Sequence, residues 1–327
     1  MRLFHLTNFT PKSLIIKIIH IMLSLLLTVF TIVELNCENL FNCYHDSLKN
    51  DLEFTPGGKR MWTSGKYYKK LNNIAKTLIS CTDERIPDLM ALCEVENDSV
   101  MIHLKRRTPL KDLPYDYLMT HSRDERGIDV ALIYNTLTFR PLAKQDIPIK
   151  GDFEQHVPRD ILYVKGIKTG GDTLHVFVLH APSRINGDEA SVRRMATTNT
   201  LTAVIDSIYS ADKNPKIVVT GDFNASAEEA PLKEIERHGM YNITREAKGC
   251  NGAKGSYCYK GFWETIDNFF ISNSINLTTT KCRIHDPEFL LIEDKRYRDI
   301  KPRRSFVGLR FDPDGVSDHL PVVLSFE

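Results

Sequence analysis

The segment KIVVTGDFNAS, residues 216–226, places two polar side chains directly after an apolar stretch. Its three consecutive β-branched residues are typical of a buried strand, and Gly221 predicts a turn that presents Asp222 and Asn224 together. A carboxylate can take a proton from water, and an amide can donate a hydrogen bond to a phosphate oxygen. The segment therefore predicts a strand that ends at a reactive site.

Other apolar runs in the chain also stop at polar residues of catalytic types. The residues are Asn36 after VEL, Glu94 after ALC and His180 after VFVL, with Asp267, Asp318 and His319 in or beside two further runs. Strand ends converge at one rim of sandwich and α/β folds, so residues far apart in the sequence can meet there. We therefore expect these side chains to form one site.

The residue types in this set indicate a site for a hard cation and an anionic substrate. No serine or cysteine nucleophile flanked by glycines accompanies them, and carboxylates are the ligands that Mg²⁺ prefers. Glu94 is the expected main metal ligand. Water is then the expected nucleophile, with Asp222 aligning it and taking its proton, and Asn224 donating to a phosphate oxygen.

A histidine serves as a phosphate partner or acid only when a carboxylate orients its ring. His319 has two candidates for that carboxylate, Asp267 and Asp318. Adjacent residues on a strand point to opposite faces, so Asp267 is the expected orienting residue and Asp318 the expected water or metal contact. Taken singly, each of these polar residues also fits an ordinary turn, strand end or buried histidine, and the joint pattern carries the functional interpretation.

Alternating strands and helices predict an α/β fold. Strands are expected at 30–35, 89–93, 128–134, 174–179, 216–220, 266–272 and 322–326, and helical stripes of apolar residues at 71–79 and 201–208. No repeat or long linker interrupts the chain, so one domain is expected over residues 29–327.

Residues 1–28 are expected to be a leader. Arg2, Lys12 and Lys17 precede or enter the apolar stretch Leu14 to Leu27, as in a secretory signal. Export is therefore predicted, with a tether by an uncleaved leader as the alternative. Cys250 and Cys258 could pair after export, because they lie eight positions apart in a glycine-rich segment.

The charge balance excludes a strongly basic surface over the whole molecule, since 43 Lys and Arg face 42 Asp and Glu. A nucleic-acid partner would need a local basic patch. The candidates are Lys105, Arg106 and Arg107 and the run Lys295, Arg296, Arg298, Lys301, Arg303 and Arg304, although such clusters are more often solvated faces.

Seven segments resemble the motifs of the endonuclease/exonuclease/phosphatase superfamily, in the family's order, over about residues 31–327. They are ELNCENLFN with Asn36, MALCEVEND with Glu94, RGIDVALIYN with Arg126, VLHAPSR with His180 and Arg184, TGDFNAS with Asp222 and Asn224, WETIDNFFIS with Asp267, and GVSDHLPVV with Asp318 and His319.

The resemblance implies a role for each of these residues. Glu94, Asn36 and Asp318 are the implied metal contacts. Asn36, Arg126, Arg184 and Asn224 are the implied substrate contacts. His180, Asp222, Asn224, Asp267 and His319 are the implied catalytic residues, with His180 stabilising the phosphate or the leaving group.

The resemblance also implies a four-layer α/β sandwich, in which two mixed sheets pack face to face with helices outside. It further implies hydrolysis without a covalent intermediate and dependence on Mg²⁺ or Mn²⁺. LHAPSR is most similar to the deoxyribonuclease-like branch, and other segments resemble a secreted bacterial subgroup. A nuclease that cuts DNA or RNA is therefore expected. We also expect a monomer without a stable protein partner.

Two alternatives remain open at this stage. The first is a phosphomonoesterase or a phospholipid or inositol-phosphate hydrolase. An exposed apolar loop near the site would favour a lipid, and a deep pocket lined by Lys or Arg would favour an inositol phosphate. The second is an inactive binding module, although the chain retains Glu94, Asp222 and His319.

Overall fold

The computed structural model describes residues 29–83, 85–153, 156–185 and 187–327. The predicted leader, residues 1–28, lies outside the described residues, so both the leader and the domain boundary stay predictions. In the part of the chain that is described, no helix has the length and apolar character needed to cross a membrane.

The described residues form eighteen strands and four α-helices. The strands are β1 (Phe30–Leu40), β2 (Leu89–Val95), β3 (Tyr115–Met119), β4 (Asp129–Asn135), β5 (Phe139–Ile147), β6 (Ile161–Lys168), β7 (Thr173–His180), β8 (Lys216–Asp222), β9 (Met240–Asn242), β10 (Tyr257–Tyr259), β11 (Phe262–Glu264), β12 (Asp267–Ser272), β13 (Lys281–Ile284), β14 (Leu291–Asp294), β15 (Asp299–Pro302), β16 (Phe306–Val307), β17 (Arg310–Phe311) and β18 (Val322–Phe326). The helices are α1 (Ser64–Ser80), α2 (Asp98–Arg107), α3 (Gly187–Ala211) and α4 (Ala230–Arg237), and short 3₁₀ turns lie at Leu52–Phe54, Pro109–Asp112 and Glu288–Leu290.

Twelve of these strands build two six-stranded sheets. The first has the order β13-β18-β1-β2-β4-β3 and the second the order β5-β6-β7-β8-β12-β9. Each sheet is mixed, because β1 and β2 pair in parallel in the first and β7 and β8 in the second. Helix α1 connects the first parallel pair and α3 the second, as parallel neighbours require.

The side chains of β7 show why the sheets form layers. Val176 and Val178 belong to the core cluster shared with the first sheet, whereas Phe177 and Leu179 pack on the other face, with Leu201 of α3. Successive side chains of a strand point to opposite faces, so one strand serves both the inter-sheet core and the layer under the helix. The predicted four-layer sandwich with helices outside is confirmed.

All seven predicted strands are present; β1 continues five residues beyond its predicted end, to Leu40, and the other ends differ by at most two residues. The two helical stripes lie in α1 and α3. Most strands that sequence reasoning did not predict lie at edges or in small hairpins; the exception is β6, which lies inside the second sheet between β5 and β7. β5, FRPLAKQDI, is such an edge strand, and most of its residues are at least partly exposed. An edge strand with exposed side chains lacks the apolar run that marks a central strand.

His285 makes the stability of this fold sensitive to acid. Burial, followed by the Arg283 guanidinium, lowers the pKa of His285 to about 4. The unfolded chain takes up this proton near about pH 6.5 and the folded chain only near 4, so stability is lost as the pH falls through that window. The loss from His285 is expected to be on the order of 2 kcal/mol.

The variant His285→Gln should lose less stability than the wild type between pH 7.5 and pH 4.5, measured by urea unfolding. His156→Gln is the control, because His156 is exposed, and should retain the wild-type difference. An equal loss in His285→Gln and the wild type would contradict the assignment.

Candidate active site

The ends of β1 and β2 carry irregularities that turn side chains into the space between the sheets. The β1–β2 register shifts between Asn36 and Leu40, and the β2–β4 register shifts between Cys93 and Val95. Glu94 lies in the second irregularity with φ +61°. A bulge of this kind re-aims a side chain next to a site, and here it directs Glu94 into a cavity.

The end of β8 is shaped by a glycine that no other residue replaces easily. Gly221 has φ +136°, and a Cβ built on it would lie 1.8 Å from the carbonyl oxygen of Leu179 on β7. The close approach sets the two strands so that His180 is directly opposite Asp222. Asn224 follows with φ +48°, a conformation that asparagine tolerates better than most residues.

We expect Gly221→Ala to destabilise the protein by about 2–5 kcal/mol, because backbone strain and overpacking add. Gly171→Ala is the matched control. Gly171 also has positive φ, but a Cβ there meets no atom within 4 Å, so about 1 kcal/mol is expected. Urea unfolding measures both, and equal losses would show that the Leu179 contact is unimportant.

A cavity of about 560 Å³ gathers the residues singled out from the sequence. Its lining includes Asn36, Glu94, Arg126, His180, Arg184, Asp222, Asn224, Asp318 and His319. Asp267 lies behind His319 and is fully buried. The structure therefore brings the whole predicted set to one place, while the role of each residue stays a prediction.

Asp222 is held by three neighbours on the floor of the cavity. Its Oδ2 accepts from Nδ2 of Asn36 at 3.0 Å, its Oδ1 accepts from the backbone N–H of Asn224 at 2.8 Å, and Nε2 of His180 is 3.5 Å from Oδ2. Burial, followed by the charge of Asp267, raises the pKa of Asp222 to about 7. A carboxylate with a pKa near neutrality is suited to taking a proton from water.

His319 and Asp267 form a buried pair. Nδ1 of His319 is 2.8 Å from Oδ2 of Asp267. Burial lowers the pKa of His319, but the carboxylates of Asp267, Asp222 and Asp318 outweigh it, so the pKa is well above its ordinary value. The imidazolium is therefore the stable form, with Asp267 as the orienting carboxylate expected from the sequence.

His180 has the opposite electrostatic setting. Burial, followed by the charges of Arg159 and Arg126, lowers the pKa of His180 well below its ordinary value. Its Nδ1 is buried and has no hydrogen-bond partner among the described residues. The cavity thus contains one neutral histidine and one charged histidine. Opposite pKa shifts of this kind allow two groups of the same type to take different roles in one site.

Glu94 faces the cavity with one oxygen free of donors. Its Oε2 accepts from the backbone N–H of Asn39 at 2.7 Å and is 3.9 Å from the Arg126 guanidinium. No hydrogen-bond donor in the described chain reaches Oε1, and Nε2 of His180 is 3.9 Å away. A carboxylate oxygen left open beside other carboxylates and an amide is a donor set that fits a hard divalent cation.

The other two predicted metal contacts are more engaged. Oδ1 of Asn36 accepts from the backbone N–H of Glu38 at 2.9 Å, and its Nδ2 donates to Oδ2 of Asp222. Asp318 forms an ion pair with Arg304 at 3.2 Å. A metal contact by either residue stays a prediction, and in the structure Asn36 positions Asp222.

A second group of possible ligands is formed by Asp222, Asp267 and His319, whose ligand atoms lie within 4.8 Å of one another. A histidine must be deprotonated to bind a metal. Because these carboxylates raise the pKa of His319, a metal ion at this group would have to displace the His319 proton, and a metal contact at this group or at Glu94 stays a prediction.

Arg184 is engaged entirely with the protein. Its guanidinium donates to Glu264 at 2.7 and 3.0 Å, to Glu229 at 2.8 Å and to Ser226 at 3.2 Å, and its Nε donates to the carbonyl of Asn224 at 3.0 Å. In this structure Arg184 stabilises the loop after β8 through these hydrogen bonds, and a substrate contact stays a prediction. Asn224 also donates from Nδ2 to the carbonyl of Ala181 at 3.0 Å, which leaves its second amide proton available.

Sequence reasoning missed two residues at this site. Glu34 lies two positions before Asn36 on β1 and is fully buried, and apart from the nearby Cys93 thiol no donor of the described chain reaches its carboxylate oxygens. Burial, followed by the charges of Asp267 and Asp222, raises its pKa well above the ordinary value. The signal was a glutamate inside the apolar run FTIVELN. The other residue, Tyr257, packs its ring against that of His319 in a tilted contact, with 4.8 Å between the ring centres, and no motif marked it.

The sandwich and the cavity define a class, the hydrolytic phosphoesterases with a rim-built acid and histidine site. The chain belongs to the endonuclease/exonuclease/phosphatase family, whose sequence profile matches residues 31–327. No curated protein matches the chain.

Solved structures of low sequence identity share the fold. A Bacteroides thetaiotaomicron endonuclease/exonuclease/phosphatase family protein matches at 16% identity and a TM-score of 0.61, over 92% of this chain and 98% of its own. A Bacteroides thetaiotaomicron mannosyl-6-phosphatase matches at 17% and 0.60, over 90% and 98%. The catalytic domain of human Nocturnin matches at 16% and 0.55, over 91% and 94%.

Proposed function

We propose that this protein is a divalent-metal-dependent phosphodiesterase of nuclease type, which cuts DNA or RNA by attack of water. The observation that carries the proposal is the opposed setting of groups in one cavity. Asp222 has a pKa raised to about 7, His319 is held as a cation by Asp267, and Glu94 has a free carboxylate oxygen. Together they provide a base, a positive charge and a cation ligand for a phosphoester.

Different residues of the chain accept the proton from water and stabilise the charge that develops on the phosphate. Asn36 and the backbone of Asn224 hold the carboxylate of Asp222 so that it can accept a proton from water. Asp267 keeps the His319 ring charged and oriented toward the cavity, where it can stabilise a phosphate oxygen or protonate the departing oxygen. No serine or cysteine is needed as nucleophile.

A Mg²⁺ or Mn²⁺ ion would be held by Glu94, whose Oε1 is free, with Asn36 or Asp318 as further oxygen contacts. When bound, such an ion supplies Lewis-acid polarisation of the phosphoryl oxygen. The remaining steps are assigned to the side chains described above.

The proposal is tested with purified protein on plasmid DNA, single-stranded DNA, RNA, a small phosphodiester and a phosphomonoester, with Mg²⁺ or with EDTA. Cleavage of a nucleic acid that EDTA abolishes is the expected result. Hydrolysis of the phosphomonoester alone, with every nucleic acid intact, would overturn the nuclease assignment.

Glu94→Gln is expected to raise the Mg²⁺ concentration for half-maximal activity at least about 10-fold, the lower end of what even outer partners of a metal ligand contribute. Glu189→Gln is the control, because the Glu189 side chain is 74% exposed on α3. An unchanged metal requirement in Glu94→Gln would remove Glu94 as the ligand.

A lipid phosphoester is the second candidate substrate, because apolar side chains are exposed on hairpins near the cavity. Phe262 is 76% exposed, Val307 60% and Leu309 59%. Exposed apolar tips can enter a bilayer interface. The experiment is hydrolysis of phospholipid vesicles beside the nucleic-acid panel, and activity on vesicles alone would favour this candidate.

The proposal includes export through the N-terminal leader, membership of a secreted bacterial subgroup, and action as a monomer without a stable protein partner. The support for export is the basic and apolar character of residues 1–28. Fractionation of cells and N-terminal sequencing of the mature protein test it, and light scattering tests the oligomeric state.

A further inference from the structure

A second concave region adjoins the catalytic cavity. It is a cleft of about 330 Å³ between the β10–β11, β14–β15 and β16–β17 hairpins. Tyr257, Tyr259 and Asp318 line both spaces, so the cleft continues directly from the site. It also takes up part of the basic run at residues 295–304, which the proposed chemistry does not use.

The cleft is connected through the backbone to the buried pair of His319 and Asp267. Tyr257 forms a backbone bridge with His319, and its ring packs against the His319 ring at a tilt of 39°. Because side chains two positions apart on a strand share a face, Tyr259 continues the line of Tyr257 outward by about 6.7 Å, and its side chain is 56% exposed.

The hairpins that form the cleft are joined to each other. Lys260 and Gly261 have φ +50° and +80° in the turn between β10 and β11, the left-handed pair of a tight hairpin. A Cβ on Gly261 would lie 2.7 Å from the ring of Tyr297, so the turn packs directly on that ring. Lys254 also pairs with Asp299 at 2.8 Å. The cleft therefore has a defined shape.

Two cations lie over aromatic rings in this cleft. Nζ of Lys260 is 5.0 Å from the Tyr259 ring centre, and Cζ of Arg296 is 5.4 Å from that of Tyr297. Neither side chain has an acidic partner among the described residues. The other two cations are paired, Lys301 with Asp294 and Arg304 with Glu38 and Asp318, so Lys260 and Arg296 are the two cations of the cleft that remain open to an anion.

We propose that this cleft binds the single-stranded part of a nucleic acid next to the phosphate being cut, with bases stacked on Tyr259 and Tyr297 and phosphates near Lys260 and Arg296. Aromatic side chains interleaved with cations are the surface that single strands recognise, since every base has a face to stack. The inference rests on the proposed nuclease function and adds the form of the substrate.

A duplex fits this surface less well, because its bases are already stacked and cannot reach the rings. A bilayer is also less suited to the cleft, since the tyrosines line a concave space together with Asp294 and Asp318. The exposed tips at Phe262 and Leu309 lie on the same hairpins, so the experiment includes vesicles.

The first measurement is binding of a fluorescent oligothymidylate of about 12 nucleotides, a length within the usual site sizes, to protein carrying Asp222→Asn to prevent cleavage. Tyr259→Ala and Tyr297→Ala are each expected to weaken binding about 5- to 100-fold. In the same two variants, the dissociation constant of a blunt duplex should change less than about 3-fold, which corresponds to the loss of no more than one weak contact.

The second measurement is the salt dependence of the same binding. Lys260→Ser with Arg296→Ser should reduce the slope of log K against log salt by roughly 1.4, since each phosphate contact on a single strand contributes about 0.7. Tyr241→Ala and Lys213→Ser are the matched controls, an exposed tyrosine on β9 and an exposed lysine before β8, and they should bind as the parent does.

The third measurement is catalysis without Asp222→Asn. The ratio of kcat/KM for the oligonucleotide to that for a small phosphodiester should fall at least about 5-fold in the tyrosine variants, mainly through KM.

Wild-type binding by all cleft variants would overturn the inference while leaving a nuclease assignment intact. Binding of phosphatidylserine vesicles in place of the oligonucleotide would make this face a membrane contact. Failure to hydrolyse any nucleic acid, with normal binding of the oligonucleotide at the cleft, would instead remove the proposed function and keep the binding site.

Discussion

Asp222→Asn is expected to lower kcat about 10²- to 10⁴-fold, the usual contribution of a positioned acid or base. The substitution keeps the shape of the side chain and an oxygen that can accept from Asn224, but it removes the group that takes the proton. In the wild type kcat/KM should fall as the pH falls through about 7, because burial and Asp267 raise the pKa of Asp222 to that value. In the variant, kcat/KM should no longer fall as the pH is lowered through about 7.

The same substitution should not weaken the fold. A carboxyl whose folded pKa is raised above its unfolded value binds its proton more tightly in the folded state, so stability is lost as the pH rises from about 4 through about 7, and the full cost is present above 7. Asp222→Asn removes that charge but also loses the hydrogen bond from Asn36; because removing the buried charge is the larger effect, urea unfolding at pH 8 should give a free energy equal to or above that of the wild type. Active sites often carry such a trade between stability and activity.

Asp212→Asn is the control for both measurements, since Asp212 is exposed just before β8. Full activity of Asp222→Asn would exclude Asp222 as the base. A large loss of stability would instead show that the loss of activity has a structural cause.

The second large effect is expected at the His319–Asp267 pair. His319→Gln and Asp267→Asn should each lower kcat about 10²- to 10⁴-fold, because either change removes the oriented, positively charged ring. The double variant should lose little more than the stronger single variant, since residues that act as a unit are not additive.

A double-mutant cycle on kcat measures this coupling. His238→Gln is the matched control, because His238 also pairs with an aspartate, Asp206 at 2.8 Å, but lies on the surface; its kcat should be that of the wild type. Fully additive losses at His319 and Asp267 would show that the two residues act separately.

The positions of the main strands and their polar ends were readable from the sequence. KIVVTGD and TLHVFVLH are apolar runs that end at a polar residue, and both the run and its end are local features. The order of the motifs also indicated the family and its four-layer fold. The hairpins that form the cleft were not predicted, since short strands such as Tyr257–Tyr259 lack a run long enough to recognise.

The sequence by itself determined which residue types meet at the rim. Only the tertiary structure decided what each can do, because that depends on neighbours brought together by long-range packing. Asn36 reaches Asp222 across 186 positions, and burial beside Asp267 raises the pKa of Asp222 while burial beside arginines lowers that of His180. Charge state is set by desolvation and distance, which sequence order does not contain.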